Sequence, residues 1–437
     1  MMATQPSSPR RVAFDVLRQV TGEDAYANLA LAKRLATAGL DTRDAGFVTE
    51  LVSGTCRLMG SYDQIIEAAG GRPLSTLQPA VVDLLRLGSH QVLSMDVPDR
   101  AAVAATVDLA RETVGQRVTG VVNAILRKVA ARTLEQWATD LDLNGHHPRW
   151  VADAYAEVLP AEEVAEALAA NNVPPVPTLV VRPGLLQRDE LVALGARPTR
   201  FSPFGASFEG QPASLEPVRD GRAGVQDEGS QLVAWALARV QAPEGPWLDL
   251  CAGPGGKAAL LAGLAREAGQ VLVANEVAEH RAQLVEQALT AYPAGTAQVV
   301  CSDGRDPGAF SEQGPYARVM VDAPCTGLGA LRRRPESRWR RSADDVAQLA
   351  GLQRELLRSA LDVTMPGGVV AYVTCSPHRA ETRDVVSDVL AGEPGVELLH
   401  AADHLPGELD AADGDFVQLW PHRHGTDAMF LALLRRR

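Results

Sequence analysis

The second half of the chain alternates short β-rich runs with helical stretches, and this alternation restricts the fold more than any other feature. Five such runs read WLDL, VLVANE, AQVVCSD, RVMVDAP and GVVAYVTC. Strands that alternate with helices form a parallel sheet, and ligands of such sheets bind at the carboxyl ends of the strands. We therefore predict a parallel α/β sheet with its site residues directly after these runs. Near the C-terminus, FVQLWP and MFLALLRR predict two further strands.

The first third of the chain has a helical pattern instead. Ala13, Val16, Leu17 and Val20 recur at the spacing of one helix face, and similar sets follow at later positions. We predict an all-helical domain over residues 1–140. Linker helices and a small mixed α/β region are predicted over 145–225, and the parallel-sheet domain over 226–437.

The run LDL leads into the glycine-rich turn CAGPGGK, which opens a helix. Gly253, Gly255 and Gly256 let backbone approach a ligand, and the helix N-terminus offers free N–H groups. A glycine turn alone is as often structural, and the phosphate-loop pattern G-x-x-x-x-G-K-[ST] is absent. Glu276 ends the next strand, where a carboxylate can accept both ribose hydroxyls. Asp303 closes the third and could accept from an adenine amino group.

A nucleoside whose tail carries an amine and a carboxylate suits this turn better than a pyrophosphate does. The pattern therefore predicts S-adenosylmethionine as the cofactor rather than NAD. Lysine is scarce and stands only at Lys33, Lys128 and Lys257, so the loop residue Lys257 is a candidate for a role that needs an ammonium.

The five cysteines are scattered, with no C-x-x-C pair, and the ordinary role for each is that of a small buried hydrophobe. Cys325 and Cys375 attract attention because each stands just past a predicted strand. No metal site is indicated. No apolar stretch approaches the roughly 20 residues that cross a bilayer, and the first residues lack the apolar core of a signal peptide. We expect a cytoplasmic monomer.

Together, DLCAGPGGK, ANE, CSDG, VDAPCTGLG and VTCSP resemble the motifs of the RNA 5-methylcytosine methyltransferases. With the helical first third, which looks like a NusB-type RNA-binding domain, the chain is similar to the RsmB (Sun, Fmu) family of 16S ribosomal RNA methyltransferases. The resemblance spans nearly the whole chain. It implies a Rossmann-like S-adenosylmethionine methyltransferase domain after an all-helical NusB-like domain. The sequence departs from the family at Ala258, at Thr326 and after VTCSP, where Glu381 is kept.

The resemblance also implies roles for individual residues. Cys375 would attack carbon 6 of cytosine and Cys325 would assist release, an order that position after a strand does not settle. Asp322 would accept a hydrogen bond from the cytosine amino group and so discriminate against uracil, although a helix-capping role is the alternative. Lys257 or a nearby arginine would favour the thiolate. The expected cofactor-binding residues are Cys251, Ala252, Gly253, Pro254, Gly255, Gly256, Lys257, Glu276, Asp303 and Asp322.

The formal net charge of −12 argues weakly against a nucleic-acid partner. Exposed charges more than about 8 Å apart are largely screened, however, so local basic patches can still bind RNA. Some basic residues lie in the helical third, where a solvated face is the ordinary explanation, and others follow the first cysteine motif. The helical third supplies Arg10, Arg11, Arg43, Arg57, Arg127 and Lys128; the run after Cys325 contains Arg332, Arg333, Arg334, Arg338, Arg340 and Arg341. We expect that run to grip phosphates; for Trp339 within it, base stacking and packing are equally open.

The expected substrate is 16S ribosomal RNA, free or partly assembled. A transfer RNA 5-methylcytosine methyltransferase would share the same catalytic half, and the NusB-like domain favours ribosomal RNA over it. A non-catalytic ribosome-assembly factor that binds RNA is a further alternative, against which the two intact cysteine motifs argue.

Overall fold

The computed structural model describes residues 8–23, 25–141, 143 and 146–437. They group into two compact units. The helical unit runs to Asp153 and also includes Leu331–Arg341, and the α/β unit comprises Ala154–Ala330 and Ser342–Arg437. The segment Leu331–Arg341 falls within the range 226–437 that the sequence assigns to the sheet domain, yet it packs with the helices.

The first seven helices build the helical unit, and two more lead out of it. They are α1 Pro9–Gly22, α2 Ala27–Ala38, α3 Thr42–Gly70, α4 Pro79–Leu93, α5 Asp99–Thr113, α6 Thr119–Val129, α7 Leu134–Leu141, α8 Arg149–Ala156 and α9 Ala161–Ala170. The long helix α3 packs against α1, α2, α4, α6 and α7. Ala13, Val16, Leu17 and Val20 are all buried in one apolar core, which confirms the helical pattern in the sequence.

A small antiparallel sheet follows in the α/β unit, with strand order β2-β3-β1-β4. Its elements are β1 Thr178–Val181, α10 Arg188–Ala193, β2 Arg197–Pro198, β3 Gly205–Ser207, α11 Glu216–Arg219 and β4 Ala223–Val225. Leu179, Val181 and Ala206 are buried in its own apolar cluster.

The remaining elements belong to a nine-stranded sheet, its helices and α15, which lies in the helical unit. They are α12 Glu228–Arg239, β5 Trp247–Asp249, α13 Gly256–Glu267, β6 Leu272–Asn275, α14 Glu279–Leu289, β7 Ala297–Val300, β8 Tyr316–Asp322, α15 Ser337–Arg340, α16 Ala343–Val363, β9 Thr364–Thr374, α17 Arg383–Leu390, β10 Val396–Leu399, β11 Ala412–Asp413, β12 Phe416–Gln418, α18 Pro421–His424 and β13 Phe430–Arg436.

The sheet has the order β11-β12-β13-β9-β8-β5-β6-β7, with β10 paired to β13. Strands β5 to β9 pair in parallel, and β13 lies antiparallel to β9. Apolar clusters cover both faces, one with α12 and α13 and the other with α16 and α17. This confirms the predicted Rossmann-like α/β fold. Within the described ranges, no helix is long and apolar enough to cross a membrane.

Candidate active site

The two cysteine motifs meet at the carboxyl edge of the sheet. Strands β8 and β9 are parallel neighbours, with Asp322 opposite Val373. Cys325 lies in the loop after β8 and Cys375 directly after β9, and their Sγ atoms are 3.5 Å apart. The pKa of Cys325 is raised well above its usual value by the hydrogen bond with Cys375, by burial and by the charges of Cys375 and Glu381. Cys325 is therefore a thiol at neutral pH.

Backbone contacts also hold the two loops together. The N–H of Gly329 donates to the carbonyl of Cys375 at 2.8 Å, and the N–H of Ala428 donates to the carbonyl of Gly329 at 2.9 Å. A Cβ atom at Gly329 would lie 2.1 Å from the carbonyl oxygen of Ala428. Only glycine allows the Cys325 loop to approach this closely.

Lys257 and Asp322 form an ion pair beside the thiols. Lys257 Nζ donates to Asp322 Oδ2 at 2.9 Å, which joins the glycine turn to the end of β8. Burial alone would lower the pKa of Lys257, but the charge and hydrogen bond of Asp322, with further attraction from Cys375 and Asp249, raise it. Lys257 is therefore a permanent ammonium whose field reaches Cys375.

The predicted cofactor turn, Cys251 to Lys257, joins β5 to α13, which begins at Gly256. Ala252 is buried, and its N–H donates to the carbonyl of Asn275 at 2.7 Å. Pro254 is exposed at the tip of the turn. The Cys251 thiol lies deeper, and its burial raises its pKa. Gly255 has a φ of 106°, and a Cβ there would lie 2.7 Å from the Ala288 side chain, so the turn requires glycine.

Glu276 follows β6 as predicted, and its side chain is only 4% exposed. Its carboxylate accepts from the N–H of Gly253 at 3.1 Å and from that of Ala278 at 3.0 Å. Arg281 lies 3.4 Å from the same carboxylate and donates to the carbonyl of Gly253 at 2.6 Å. Glu276 is thus tied to the glycine turn.

Asp303 follows β7, but its surroundings differ from those of Glu276. Its side chain is 45% exposed, and Arg305 contacts both carboxylate oxygens, with the shortest distance 2.6 Å. Hydrogen bonds from Arg305 lower the pKa of Asp303, so the carboxylate stays ionised. Arg305 also reaches Glu355 at 3.2 Å. Any adenine contact would share Asp303 with this arginine.

Comparisons with known proteins decide the family. A family profile described as "16S rRNA methyltransferase RsmB/F" matches residues 236–435, and a NusB family profile matches residues 7–131. A ribosomal RNA small subunit methyltransferase B from Vibrio cholerae is 32% identical over 98% of this chain and 97% of its own length. The chain belongs to the RsmB/F family. It is therefore an RNA methyltransferase with a NusB-type helical domain.

Other known proteins are similar to this RsmB/F chain over most or all of their own length. A putative methyltransferase from Mycobacterium tuberculosis is 48% identical over 99% of this chain and 97% of its own length. The crystal structure of the protein PH0851 superposes with a TM-score of 0.84 at 22% identity and covers both chains fully. A methyltransferase homolog from Pyrococcus horikoshii has a TM-score of 0.56 at 24% identity, covering 68% of this chain and 97% of that one. These structures show the shared fold.

The departures from the usual RsmB/F motifs lie beside the site. Ala258 lies in the first turn of α13 and is fully buried in the apolar core. Thr326 replaces a serine and keeps the hydroxyl group. Among the described residues, no group of three or more His, Cys, Asp or Glu side chains is placed to hold a metal ion.

Two further residues lie beside the glycine turn of this RsmB/F protein and were not predicted from the sequence, Asp249 and Arg281. Asp249 ends β5 beneath the glycine turn and is fully buried, and neither of its carboxylate oxygens has a hydrogen-bond partner among the described residues. Burial, followed by the charge of Asp322, raises the pKa of Asp249 to about 8. Asp249 could have been noticed as an acid inside the apolar run WLDL. No local sequence pattern indicates Arg281, because its partners Gly253 and Glu276 come from other elements of the fold.

The arginine run of this RsmB/F protein is only partly available for the phosphate contacts expected from the sequence. Arg338 is fully buried and donates to the carbonyl of His146, and Arg340 donates to the carbonyls of Val20 and Ala25. Of the six arginines, only Arg333 and Arg341 are exposed.

Trp339 packs within the helical unit. Its indole N–H donates to the carbonyl of Cys56 at 2.7 Å, and its ring lies so close to Gly60 that a Cβ there would be 2.2 Å away. Packing therefore replaces the base-stacking alternative for Trp339.

Proposed function

We propose that this RsmB/F protein methylates carbon 5 of a specific cytosine in 16S ribosomal RNA, with S-adenosylmethionine as cofactor and a covalent adduct between Cys375 and carbon 6. The observation that carries the proposal is the pair of thiols 3.5 Å apart at the ends of adjacent strands. Carbon 5 of cytosine is a poor nucleophile, and a thiolate added at carbon 6 activates it. A second group must then assist release, which we assign to Cys325.

The electron flow explains why two sulfurs are needed. Cys375 Sγ bonds to carbon 6, and the electron pair of the carbon 5–carbon 6 double bond moves to carbon 5. The carbon 5 electron pair would bond to the methyl group that S-adenosylmethionine supplies when bound, and the cofactor would leave as its neutral thioether. Loss of the carbon 5 proton to a water molecule restores the double bond and expels the Cys375 thiolate. The S–H of Cys325 then stabilises the departing sulfur by a hydrogen bond.

Electrostatics support this division of roles between the two cysteines. The raised pKa of Cys325 keeps its proton in place for the release step. The Lys257 ammonium and an ionised Cys375 attract each other, which favours the nucleophilic form. The two thiols therefore differ in their surroundings although they touch.

In this proposal Asp322 recognises the target base. Lys257 donates to Oδ2, and no donor from the described residues reaches Oδ1. The side chain is 27% exposed, so Oδ1 can accept from the cytosine amino group, where uracil presents a carbonyl. The base must leave its stack to reach such a pocket.

The residues at the sheet edge fit S-adenosylmethionine. Asp249 offers a buried carboxyl group with no hydrogen-bond partner among the described residues, and the cofactor ammonium would contact it and favour its ionised form. The N-terminus of α13 would receive the cofactor carboxylate. Glu276 would hold the ribose hydroxyls, and Asp303 the adenine amino group.

We expect Glu276→Ala and Asp303→Ala to weaken S-adenosylmethionine binding without changing RNA affinity. A charge-assisted hydrogen bond contributes about 1.5–3 kcal/mol, hence about tenfold or more in affinity. The effect should be larger for Glu276, because Asp303 is shared with Arg305. Calorimetry with S-adenosylmethionine measures both, with the exposed Glu279→Ala as the matched control. Unchanged affinity for both variants would remove these acids from the cofactor site.

Two observations support ribosomal RNA as the substrate. The NusB profile matches residues 7–131 of the helical unit, and the relative from Vibrio cholerae is a ribosomal RNA small subunit methyltransferase B. Arg127 and Lys128 are exposed in the last turn of α6 and form no ion pair with a described residue. They are candidates for phosphate contacts, each of which contributes about 0.7–0.9 to the slope of log affinity against log salt.

The test of the proposed function offers the enzyme protein-free small-subunit RNA, assembled small subunits and bulk transfer RNA. We expect methylation of the protein-free RNA, read as 5-methylcytosine at one position by bisulfite sequencing, because an unassembled RNA splays the base most easily. Preference for transfer RNA would transfer the proposal to that substrate. No methylation of any RNA, with S-adenosylmethionine bound, would favour a non-catalytic assembly factor.

A further inference from the structure

Glu381 is a fully buried acid close to both cysteine loops. It ends the short turn Arg379–Glu381 that follows Cys375, and its relative exposure is 0%. No Lys, Arg or His of the described residues forms an ion pair with it. A buried carboxylate without a cation is costly unless hydrogen bonds compensate, so the identity of its donors matters.

Four hydrogen bonds converge on this carboxylate. Oε1 accepts from the Thr326 N–H at 2.7 Å and from Gln353 Nε2 at 3.3 Å. Oε2 accepts from the Thr326 hydroxyl at 2.5 Å and from the Ser376 hydroxyl at 2.6 Å. All of its donors are neutral groups.

The donors are the immediate neighbours of the two cysteines. Thr326 follows Cys325 and Ser376 follows Cys375, so one carboxylate connects two loops that come from different strands. Gln353 extends the connection, because it also donates to the carbonyl of Pro324 at 2.8 Å. The Cys325 loop is thus held on both sides of its sulfur-bearing residue.

We propose that Glu381 is a positioning residue that sets the separation of the two thiols. This inference rests on the proposed two-cysteine mechanism. Glu381 itself is fixed, since the Tyr372 hydroxyl donates to its carbonyl at 2.7 Å. Without the carboxylate, the hydroxyls of Thr326 and Ser376 lose their common acceptor, and the loops lose the contact that keeps Cys325 against Cys375.

A trivalent arsenical tests the separation directly, without RNA or cofactor. Phenylarsine oxide bridges two thiols and releases one water, and it needs both sulfurs at about the separation found here. We expect tight binding by the wild type, none at this pair in Cys325→Ser, and binding weakened about tenfold or more in Glu381→Ala, because the second As–S bond depends on the local sulfur concentration. The exposed Glu408→Ala is the matched control.

Two controls separate positioning from unfolding. Both thiols of Glu381→Ala should still react with a single-thiol reagent, and a thermal melt should show one cooperative transition. Glu381→Gln, which keeps the side-chain volume and one oxygen, should bind the arsenical with intermediate affinity. Wild-type arsenical affinity in both Glu381 variants would overturn the proposal.

A double-mutant cycle measures the same coupling in turnover. Thr326→Val, which removes only the hydroxyl, should lower kcat by about tenfold with unchanged KM for RNA, and Thr326→Ser should recover most of that loss. Because Thr326 acts through Glu381, adding Thr326→Val to Glu381→Ala should cost much less than it does alone. Fully additive losses would contradict the inference, whereas a wild type that makes no 5-methylcytosine would contradict the proposed function instead.

Discussion

The variant Cys375→Ala should lose methyl transfer, with turnover reduced by at least about a thousandfold, and should still bind S-adenosylmethionine. The reason is that attack on carbon 6 precedes every later bond change. Cys375 lies directly after β9, whereas the proposed cofactor residues lie at or just after the ends of β5, β6, β7 and β8. A tritium-transfer assay measures turnover, and calorimetry measures cofactor affinity.

The matched control for this loss is Cys301→Ala. Cys301 is exposed after β7, and the hydrogen bond recorded for its sulfur is a long one to the Val277 carbonyl, at 3.7 Å. The control should keep wild-type turnover, which shows that loss of a cysteine as such is harmless. Substantial turnover by Cys375→Ala would remove it as the nucleophile.

For Cys325→Ala, we expect a covalent protein–RNA adduct to accumulate. Attack and methylation still proceed through Cys375, but the departing thiolate loses its hydrogen-bond donor 3.5 Å away. A denaturing gel should show a shifted band that protease digestion removes. Each enzyme molecule should then react with no more than one RNA molecule, because the adduct is not released.

Because the adduct requires Cys375 as the nucleophile, removing Cys375 as well provides the control for this experiment. The double variant Cys325→Ala with Cys375→Ala should give no shifted band. A gel without adduct for Cys325→Ala, from a protein that binds RNA and cofactor normally, would count against the assigned roles. An adduct in Cys375→Ala instead would reverse them.

The residues that follow the strands were predictable because local pattern places them. Strands β5 to β9 coincide with apolar runs, and parallel strands bring their carboxyl ends to one edge. That principle alone places Cys325 near Cys375. It does not give the order of their roles, which depends on tertiary neighbours such as Lys257 and Glu381.

Burial of charged residues was the main thing that the sequence did not reveal. A solvated helix face was the ordinary explanation for Arg57, and phosphate contacts were predicted for Arg338, yet they are 6% and 0% exposed. In the sequence, an arginine exposed to water cannot be distinguished from one whose guanidinium is buried against backbone carbonyls. Only the packed structure distinguishes the two. Asp249 is the opposite case, because it is a buried acid that the sequence does not single out and that we propose contacts the cofactor.

The position of Leu331–Arg341 in the chain has a consequence for biosynthesis. The segment packs in the helical unit, yet the ribosome makes it after β1 to β8. Until this segment is made, the Trp339 ring cannot pack against Gly60. The N–H of Ala27 also has to wait for its acceptor, the Glu336 carboxylate, which lies 3.1 Å away in the folded protein. Nascent domains usually fold in the order of synthesis. Here the helical domain emerges first but cannot complete its packing until Leu331–Arg341 has been translated as part of the second half of the chain.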